Sequence, residues 1–371
     1  MKLTIEKKEL NKSLRIISNV ISNISTNPIF NCILLETTDN KITIIGSNSL
    51  ISVKNTISNG LNIESNGVAL LNGKVFYNIV NKINATKVNL ELIDNSVLRI
   101  SADTFSFDIN TQEKHTYPSI NFDFTSYEKI VISSKFIKNV ISKLSNTVSL
   151  TENFRTVLKG ILIDSSRVNG QIEALSTDGV HLAYIKTNFN GPKFKIIINV
   201  QILKYINELI DQDQELNIYI QHNNLIIQVK DYLFSCRLIE GEYPSPTKAI
   251  EETKPLHFLI HKYKFLNALE KGLIVASTDK KPSVLLNITN NILKITCRSI
   301  ELGTSYEELN IEGYQGEDIK ISLNVNALLS LITNIEDNKI EFRFLSNITP
   351  IAVLDPKNTE YYSIILPIKT T

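Results

Sequence analysis

Apolar residues recur at three- and four-residue steps in six stretches of the chain, and between them they alternate with polar ones. The first stripe runs Leu10, Leu14, Ile17, Ile21, Ile24. The second runs Phe136, Ile137, Val140, Ile141, Leu144, and the third Leu266, Leu269, Leu273, Ala276. Such spacing predicts amphipathic helices over 9–24, 134–148 and 261–276. A second helix follows in each case, over 73–83, 200–210 and 325–335, on Phe76, Ile79, Val80 and Ile83, then Ile202, Leu203, Ile206, Leu209 and Ile210, then Leu328, Leu331, Ile332 and Ile335. Alternating runs come after each second helix: from Val88 to a turn at Asp94-Asn95, from Leu216 to His222-Asn-Asn, and from Ile340 to Ser346-Asn347. Asx-rich turns between period-2 runs predict hairpins.

The second helices begin at residues 73, 200 and 325, a period of roughly 125 residues, too long for a solenoid repeat and about one domain. The 371 residues are therefore expected to form three related α+β domains, each with two helices packed on antiparallel strands. Boundaries are placed at 1–125, 126–252 and 253–371. The first follows His115-Thr-Tyr-Pro118 and the second follows Glu240-Gly-Glu-Tyr-Pro-Ser-Pro246, where prolines disfavour helix.

Lysines fall off the buried stripe of the first helix in every copy: Lys7, Lys8, Lys12 and Arg15, then Lys135, Lys138 and Lys143, then Lys262, Lys264 and Lys271. A solvated face is the plain alternative, but a threefold recurrence weakens it. In bulk the chain is not basic, since 39 Lys+Arg face 38 Asp+Glu for a net charge of +1, so any phosphate contact must come from local placement. With 43% hydrophobic residues the chain can bury sizeable cores. No run of 18 apolar residues occurs, which excludes a transmembrane helix, and Met1-Lys2-Leu3-Thr4-Ile5-Glu6 turns polar too early for a signal peptide. A cytoplasmic protein with no membrane association is expected.

Catalytic chemistry finds little support. Cys32, Cys236 and Cys297 are far apart and read as buried thiols. The phosphate-binding, dinucleotide-binding, zinc-protease and nucleophile-elbow motifs are all missing. His257 and His261 straddle a strand-to-helix transition, so no metal is expected. Asp178-Gly179-Val180-His181 could pass for an acid/base cluster, but an Asp-Gly turn explains it more simply. Neither an enzyme nor a cofactor is expected.

Leu175-Ser-Thr-Asp-Gly-Val-His-Leu-Ala183, Phe234-Ser-Cys-Arg-Leu-Ile-Glu-Gly-Glu-Tyr-Pro244, the terminal Ile364-Ile-Leu-Pro-Ile-Lys369, the opening Met-Lys-Leu-Thr-Ile-Glu and Asn27-Pro-Ile-Phe together resemble the bacterial DNA polymerase III beta subunit, the sliding clamp, along the whole chain. The resemblance implies a DNA-clamp fold in which a head-to-tail homodimer closes six domains into a ring around double-stranded DNA. Its implied partners are the polymerase III catalytic subunit, the clamp loader and other proteins with clamp-binding motifs. Carried over by position, a partner-peptide pocket would comprise Leu158, Thr177, Gly179, His181, Leu182, Pro244, Lys248 and Ala249, with Asn324, Ile348, Pro350, Ile364, Ile365, Leu366, Pro367 and Ile368 from the third copy. DNA-facing positions would be Lys12, Arg15, Lys74, Lys135, Lys138, Arg155, Lys204 and Lys264. The dimer interface would bring Phe105 and Phe107 of one protomer against Val275 and Ala276 of the next. The chain departs from the family pattern at Val180-His181, where His-Arg is usual, at Ala327 in place of an aromatic, at Val200-Gln201 in place of basic residues, and in its Lys369-Thr-Thr tail. A duplicated-domain binding or adhesion protein that does not act on DNA, and a hydrolase centred on Asp178 and His181, are the competing readings.

Overall fold

The computed structural model describes residues 1–21, 27–48, 50–149, 155–245, 250 and 254–368. Ile24, Lys248, Ala249 and the Lys369-Thr-Thr tail lie outside them. By contacts the chain divides into two compact units, Met1–Lys135 with Gln201–Leu238, and Phe136–Val200 with Ile239–Thr371. The middle copy is thus shared between them.

The six helices form where the apolar stripes place them: Lys7–Val20, Gly73–Lys82, Ser134–Leu144, Val200–Asn207, Lys262–Ala276 and Val325–Ile332. Most end a few residues before the apolar spacing does. The spacing continues into a short 3-10 turn at Ser145–Thr147, or into residues such as Ile83 and Ile335 that stay buried outside the helix. The stripe on the fifth helix needs correcting. Phe265, Ala268, Leu269, Gly272 and Ala276 are buried, whereas Leu266 and Leu273 are only half covered and Tyr263 and Ile274 are exposed. Phe265 decides the rotation, packing edge-on against Phe342 with ring centroids 5.7 Å apart.

Lysine at the first helical position does a structural job twice. The Lys7 Nζ donates to the Ile83 carbonyl and the Lys262 Nζ to that of Ile335, each meeting the carbonyl end of its copy's second helix. A cation there offsets the negative end of the helix dipole. In the middle copy Ser134 holds this position, and its Oγ accepts from the Gln214 N–H at 2.8 Å. Asn72 and Asn324 start two of the second helices, their side chains accepting from Val75 N and Ala327 N at 3.0 and 2.9 Å.

Every strand pairing is antiparallel. The first unit holds an eight-stranded sheet in the order Glu128–Ser133, Glu215–Gln221, Asn224–Val229, Tyr232–Arg237, Ile51–Ile57, Lys41–Ser47, Cys32–Thr38, Gly67–Asn72. It also holds a five-stranded sheet ordered Leu61–Ser65, Lys2–Glu6, Lys87–Ile93, Val97–Ala102, Phe105–Asn110. In the second unit an eight-stranded sheet runs Lys195–Asn199, Gly160–Asp164, Gln171–Thr177, His181–Asn188, Tyr361–Ile365, Ile351–Leu354, Lys339–Phe344, Leu256–His261. A four-stranded sheet runs Gly303–Asn310, Ile292–Ser299, Ser283–Thr289, Ile319–Asn324.

Both eight-stranded sheets are built from two halves contributed by consecutive copies. Tyr232–Arg237 of the middle copy joins Ile51–Ile57 of the first, with Phe234 opposite Val53. Tyr361–Ile365 of the third copy joins His181–Asn188 of the middle one, with Ser363 opposite Ala183. The predicted hairpin turns at Asp94-Asn95 and His222 adopt the left-handed conformation that Asx-rich turns tolerate. All three cysteines are buried and unpaired, and burial pushes the Cys236 thiol up to about 12.

Candidate functional site

Two surfaces, one in each unit, and a set of basic positions hold the residues singled out from the sequence. The first is an open sheet edge in the first unit. Phe105–Asn110 has a strand neighbour on one side only, and Phe105 and Phe107 stay 42% and 43% exposed with their rings stacked at 6.5 Å. They are therefore not core residues of the first copy. They line a groove of about 620 Å³ with Val75, Ile79, Ile83 and Ala102 from the neighbouring helix and strand. Of the residues expected opposite this edge, Val275 is half exposed, but Ala276 is fully buried and must be withdrawn as an interface residue. The helix turns Ala276 into its own core and presents Ile274, 71% exposed, which the apolar spacing missed.

The second surface lies in the second unit, around the join of His181–Asn188 with Tyr361–Ile365. Leu158 belongs to a buried cluster with Val157, Leu162, Leu175, Ile197 and Tyr243, against which Leu182 packs half-covered. Leu182 sits opposite Ile364 in the ladder, and the Leu366 N–H donates to Val180 O at 2.9 Å, carrying the pairing past the strand end. The Ile368 N–H then donates to Ser322 O at 2.8 Å, fastening the segment beside Asn324. Tyr243 anchors Pro244, its hydroxyl donating to Gly160 O at 3.1 Å and accepting from Thr177 N at 3.2 Å.

The described residues of the expected pocket differ in burial. Ile348 and Leu366 are exposed apolar side chains, Gly179 is exposed, and Leu182, Pro244, Asn324, Pro350, Pro367 and Ile368 are half-buried. Leu158, Thr177, His181 and Ile364 are buried. Ile365 is completely covered, pairing with His181 and Ile351, so it supports the site from within and is corrected from wall to core. The Asn324 side-chain oxygen is committed to capping its helix. At Ala327, the position of the missing aromatic, the side chain is buried as well.

The rim turn is an Asx turn around Gly179 (φ +88°). The Asp178 Oδ1 accepts from the N–H groups of Val180 and His181 at 2.8 and 2.9 Å, and lies 2.9 Å from the His181 Nδ1. Burial pushes the Asp178 carboxyl up, but hydrogen bonding and charge from His181, then the two backbone N–H groups, outweigh it and hold the group below the ordinary carboxylate value. The sequence marked this turn. It gave no sign that the His181 Nε2 would lie 3.2 Å from Ser330 Oγ on a third-copy helix.

The basic positions fall in both units: Lys12, Arg15, Lys74, Lys135 and Lys204 in the first, Lys138, Arg155 and Lys264 in the second. Lys12, Arg15, Lys135, Arg155, Lys204 and Lys264 are exposed, and Lys74 and Lys138 half-buried. Other lysines off the helix stripes are engaged. Lys143 is nearly buried, pairing with Glu336 at 2.8 Å above the Tyr361 ring, and Lys271 meets Glu307 at 3.3 Å.

Comparison with known proteins matches this arrangement. Family models for the DNA polymerase III beta subunit fit residues 1–121 (N-terminal domain), 131–245 (central domain) and 250–369 (C-terminal domain). Beta sliding clamps of Staphylococcus epidermidis and Bacillus subtilis are 26% and 25% identical, each alignment covering all of both chains. The crystal structure of the DNA polymerase sliding clamp from Bacillus subtilis superposes over the whole chain with a TM-score of 0.93 at 24% identity. The polymerase III beta chain of Streptococcus pneumoniae does so at 0.94 and 22%. Along its whole length, with a counterpart for each of the three domains, the chain belongs to the DNA polymerase III beta subunit family, the sliding clamps.

Proposed function

We propose that two copies of this chain close head to tail into a six-domain ring around duplex DNA, and that the ring works without catalysis as the processivity clamp of a replicative polymerase. The observation that carries this reading is the equivalence of the two open sheet edges to the two closed joins. Counting from the starts of the helices and along the ladders, Phe107 occupies the place of Phe234 and Ser363, and Ser305 that of Val53 and Ala183. Phe234 meets Val53 and Ser363 meets Ala183, so Phe107 should meet Ser305 of the partner subunit, with Ser106 opposite Tyr306 of the partner subunit. The same equivalence extends to the helices. Tyr205 of the middle copy's second helix donates to Asn19 O at the end of the first copy's first helix at 2.9 Å. The corresponding positions are Asn78, on the groove by Phe105, and the exposed Ile274. A heterologous contact of this kind must close or propagate, and two chains with three copies each close it once around.

Helices carrying Lys12, Arg15, Lys74, Lys135, Lys138, Lys204 and Lys264, with Arg155 beside them, would face the phosphate backbone. The near-neutral overall charge suits a ring that holds DNA by topology, because dense phosphate contacts would brake sliding. The apolar rim of Ile348 and Leu366 over the Leu158 cluster would take one or two hydrophobic anchors of a short peptide from the polymerase, the clamp loader or another replication protein. The domain limits 1–125, 126–252 and 253–371 and a cytoplasmic setting belong to the same reading. Among the described residues no helix is long and apolar enough to cross a membrane.

The test is a cross-link in the stated register. Ser106→Cys with Tyr306→Cys should oxidise to a covalent dimer that remains on nicked circular DNA and slides off once the circle is cut. Ser106→Cys with Glu308→Cys, two residues out of register, should not cross-link. Equal cross-linking of both pairs, or loss from circles as fast as from linear DNA, would defeat the ring.

A further inference from the structure

The geometry points to His181 as the positioning residue of the peptide pocket: its ring braces the rim turn against the helix Val325–Ile332, and the brace is complete only when the ring carries both protons. This rests on the pocket reading above. The turn and the helix come from different copies, 149 positions apart, and the imidazole is the side chain spanning them. It is 7% exposed, with Asp178 Oδ1 2.9 Å from Nδ1 and Ser330 Oγ 3.2 Å from Nε2.

A count of hydrogens sets the protonation. The Ser330 hydroxyl has a single hydrogen and lies 2.8 Å from the Ala327 carbonyl, an oxygen that can only accept. With that hydrogen spent, the contact to Nε2 needs one on the ring. Nδ1, facing a carboxylate, needs another. The imidazolium satisfies both contacts at once, whereas a neutral ring either leaves Nε2 without a donor or draws the hydroxyl away from Ala327. Among the described residues, no other charged side chain is seen bonded to the ring. Helix Val325–Ile332 and the turn Ser145–Thr147 contain no titratable residue. The strand Tyr361–Ile365 brings Tyr361 and Tyr362, which burial pushes up and keeps neutral. Gln171–Thr177 brings Glu173, which is held by the Tyr184 hydroxyl at 2.6 Å and Arg167 at 3.3 Å.

The brace reaches the docking surface by backbone bonds. Val180 O receives the N–H of Leu366, a main exposed apolar residue of the rim. Thr177 Oγ1 donates to His181 O at 2.8 Å and accepts from Gly179 N at 3.1 Å. Release of the ring from Ser330 therefore removes the side-chain tie between this turn and the helix Val325–Ile332, and the Val180 carbonyl that holds Leu366 loses that support. Peptide affinity should fall as the ring loses its second proton.

The test is fluorescence anisotropy on the full chain, with a fluorescein-labelled hexapeptide carrying Leu and Phe as its apolar anchors, from pH of about 5.5 to 8.5. The native chain should lose about tenfold in affinity across this range, the worth of one charge-assisted hydrogen bond. His181→Arg, which stays charged throughout, should bind without the pH dependence of the native chain. Ser330→Ala, a mild change at a half-buried site, should sit near the native high-pH affinity throughout. Native and Ser330→Ala chains with the same pH-independent affinity would overturn the brace and leave the pocket standing. Absence of binding, or binding that Ile348→Arg does not reduce, would overturn the pocket and the brace with it.

Discussion

Phe107 and Phe234 occupy the same place in two copies of one plan, and their surroundings differ completely. Phe234 is fully buried, with its strand paired to Ile51–Ile57 and its neighbours Tyr232 and Cys236 nearly covered. Phe107 is 43% exposed, on a strand whose outer edge has no neighbour. An unpaired edge with aromatic side chains is a liability that soluble proteins usually blunt with charge or proline. Here two phenylalanines stay exposed on it beside the Arg99–Asp108 ion pair, and a groove runs alongside. The difference teaches that two half-sheets, ending at Phe105–Asn110 and Gly303–Asn310, lack the partner that their counterparts have, and the proposed ring would pair them across subunits.

Breaking the open side should have the largest effect. Phe107→Arg puts a charge where an aromatic ring is expected to be covered, and burying an unpaired charge is strongly unfavourable. Light scattering should show a particle of one chain in place of two, with thermal stability changed little because the side chain is exposed in the single chain. A dimer that survives would show that this edge is not where subunits meet.

The matching change on the closed side should spare assembly and cost stability. Phe234→Ala removes a fully buried ring and should lower unfolding free energy by about 3–5 kcal/mol. Denaturant titration would read it, with the dimer persisting at concentrations where the protein remains folded. If instead both substitutions act alike, on stability alone or on assembly alone, the contrast between the two edges collapses.

A smaller, pH-linked effect compares the two closed joins, since an Asx turn at only one of them carries the Asp178 carboxylate. Its folded value is depressed, so its stabilisation is present above the ordinary value of about 3.9 and is lost as pH falls through the lower folded value. Asp178→Asn should therefore flatten the acid side of the stability curve, with little change at the Ile51–Ile57 join. Melting temperatures between pH of about 2 and 5 would test this. An unaltered acid limb would mean that Asp178 does not contribute.

Much of the fold could be read in advance. The period of the apolar pattern gave the six helices, and the Asx turns gave the hairpins after them. Where the structure differs from expectation, spacing or position in a family pattern fits more than one side chain. Leu266 and Leu273 match a helical stripe as well as Phe265 and Leu269 do, and only the Phe342 ring, far along the chain, selects between them. Ala276 is on the buried stripe, as its spacing implies; only the family resemblance put it at the interface, and Ile274 is the exposed side chain there. In the pocket, Thr177, Leu182 and Pro244 were placed by position in a familiar pattern. Ile365 was misjudged because a terminal apolar strand looks the same whether its face is covered or open.

By itself the amino-acid sequence determined the threefold plan, the helix and strand content, the near-neutral charge and the family. These depend on local periodicity and on composition, which each segment carries within itself. Tertiary structure decided which half-sheets found partners inside the chain, which edge kept its phenylalanines in solvent, and that His181 would reach Ser330. Strand pairing and burial are properties of two segments at once, and spacing within one of them holds no record of the other.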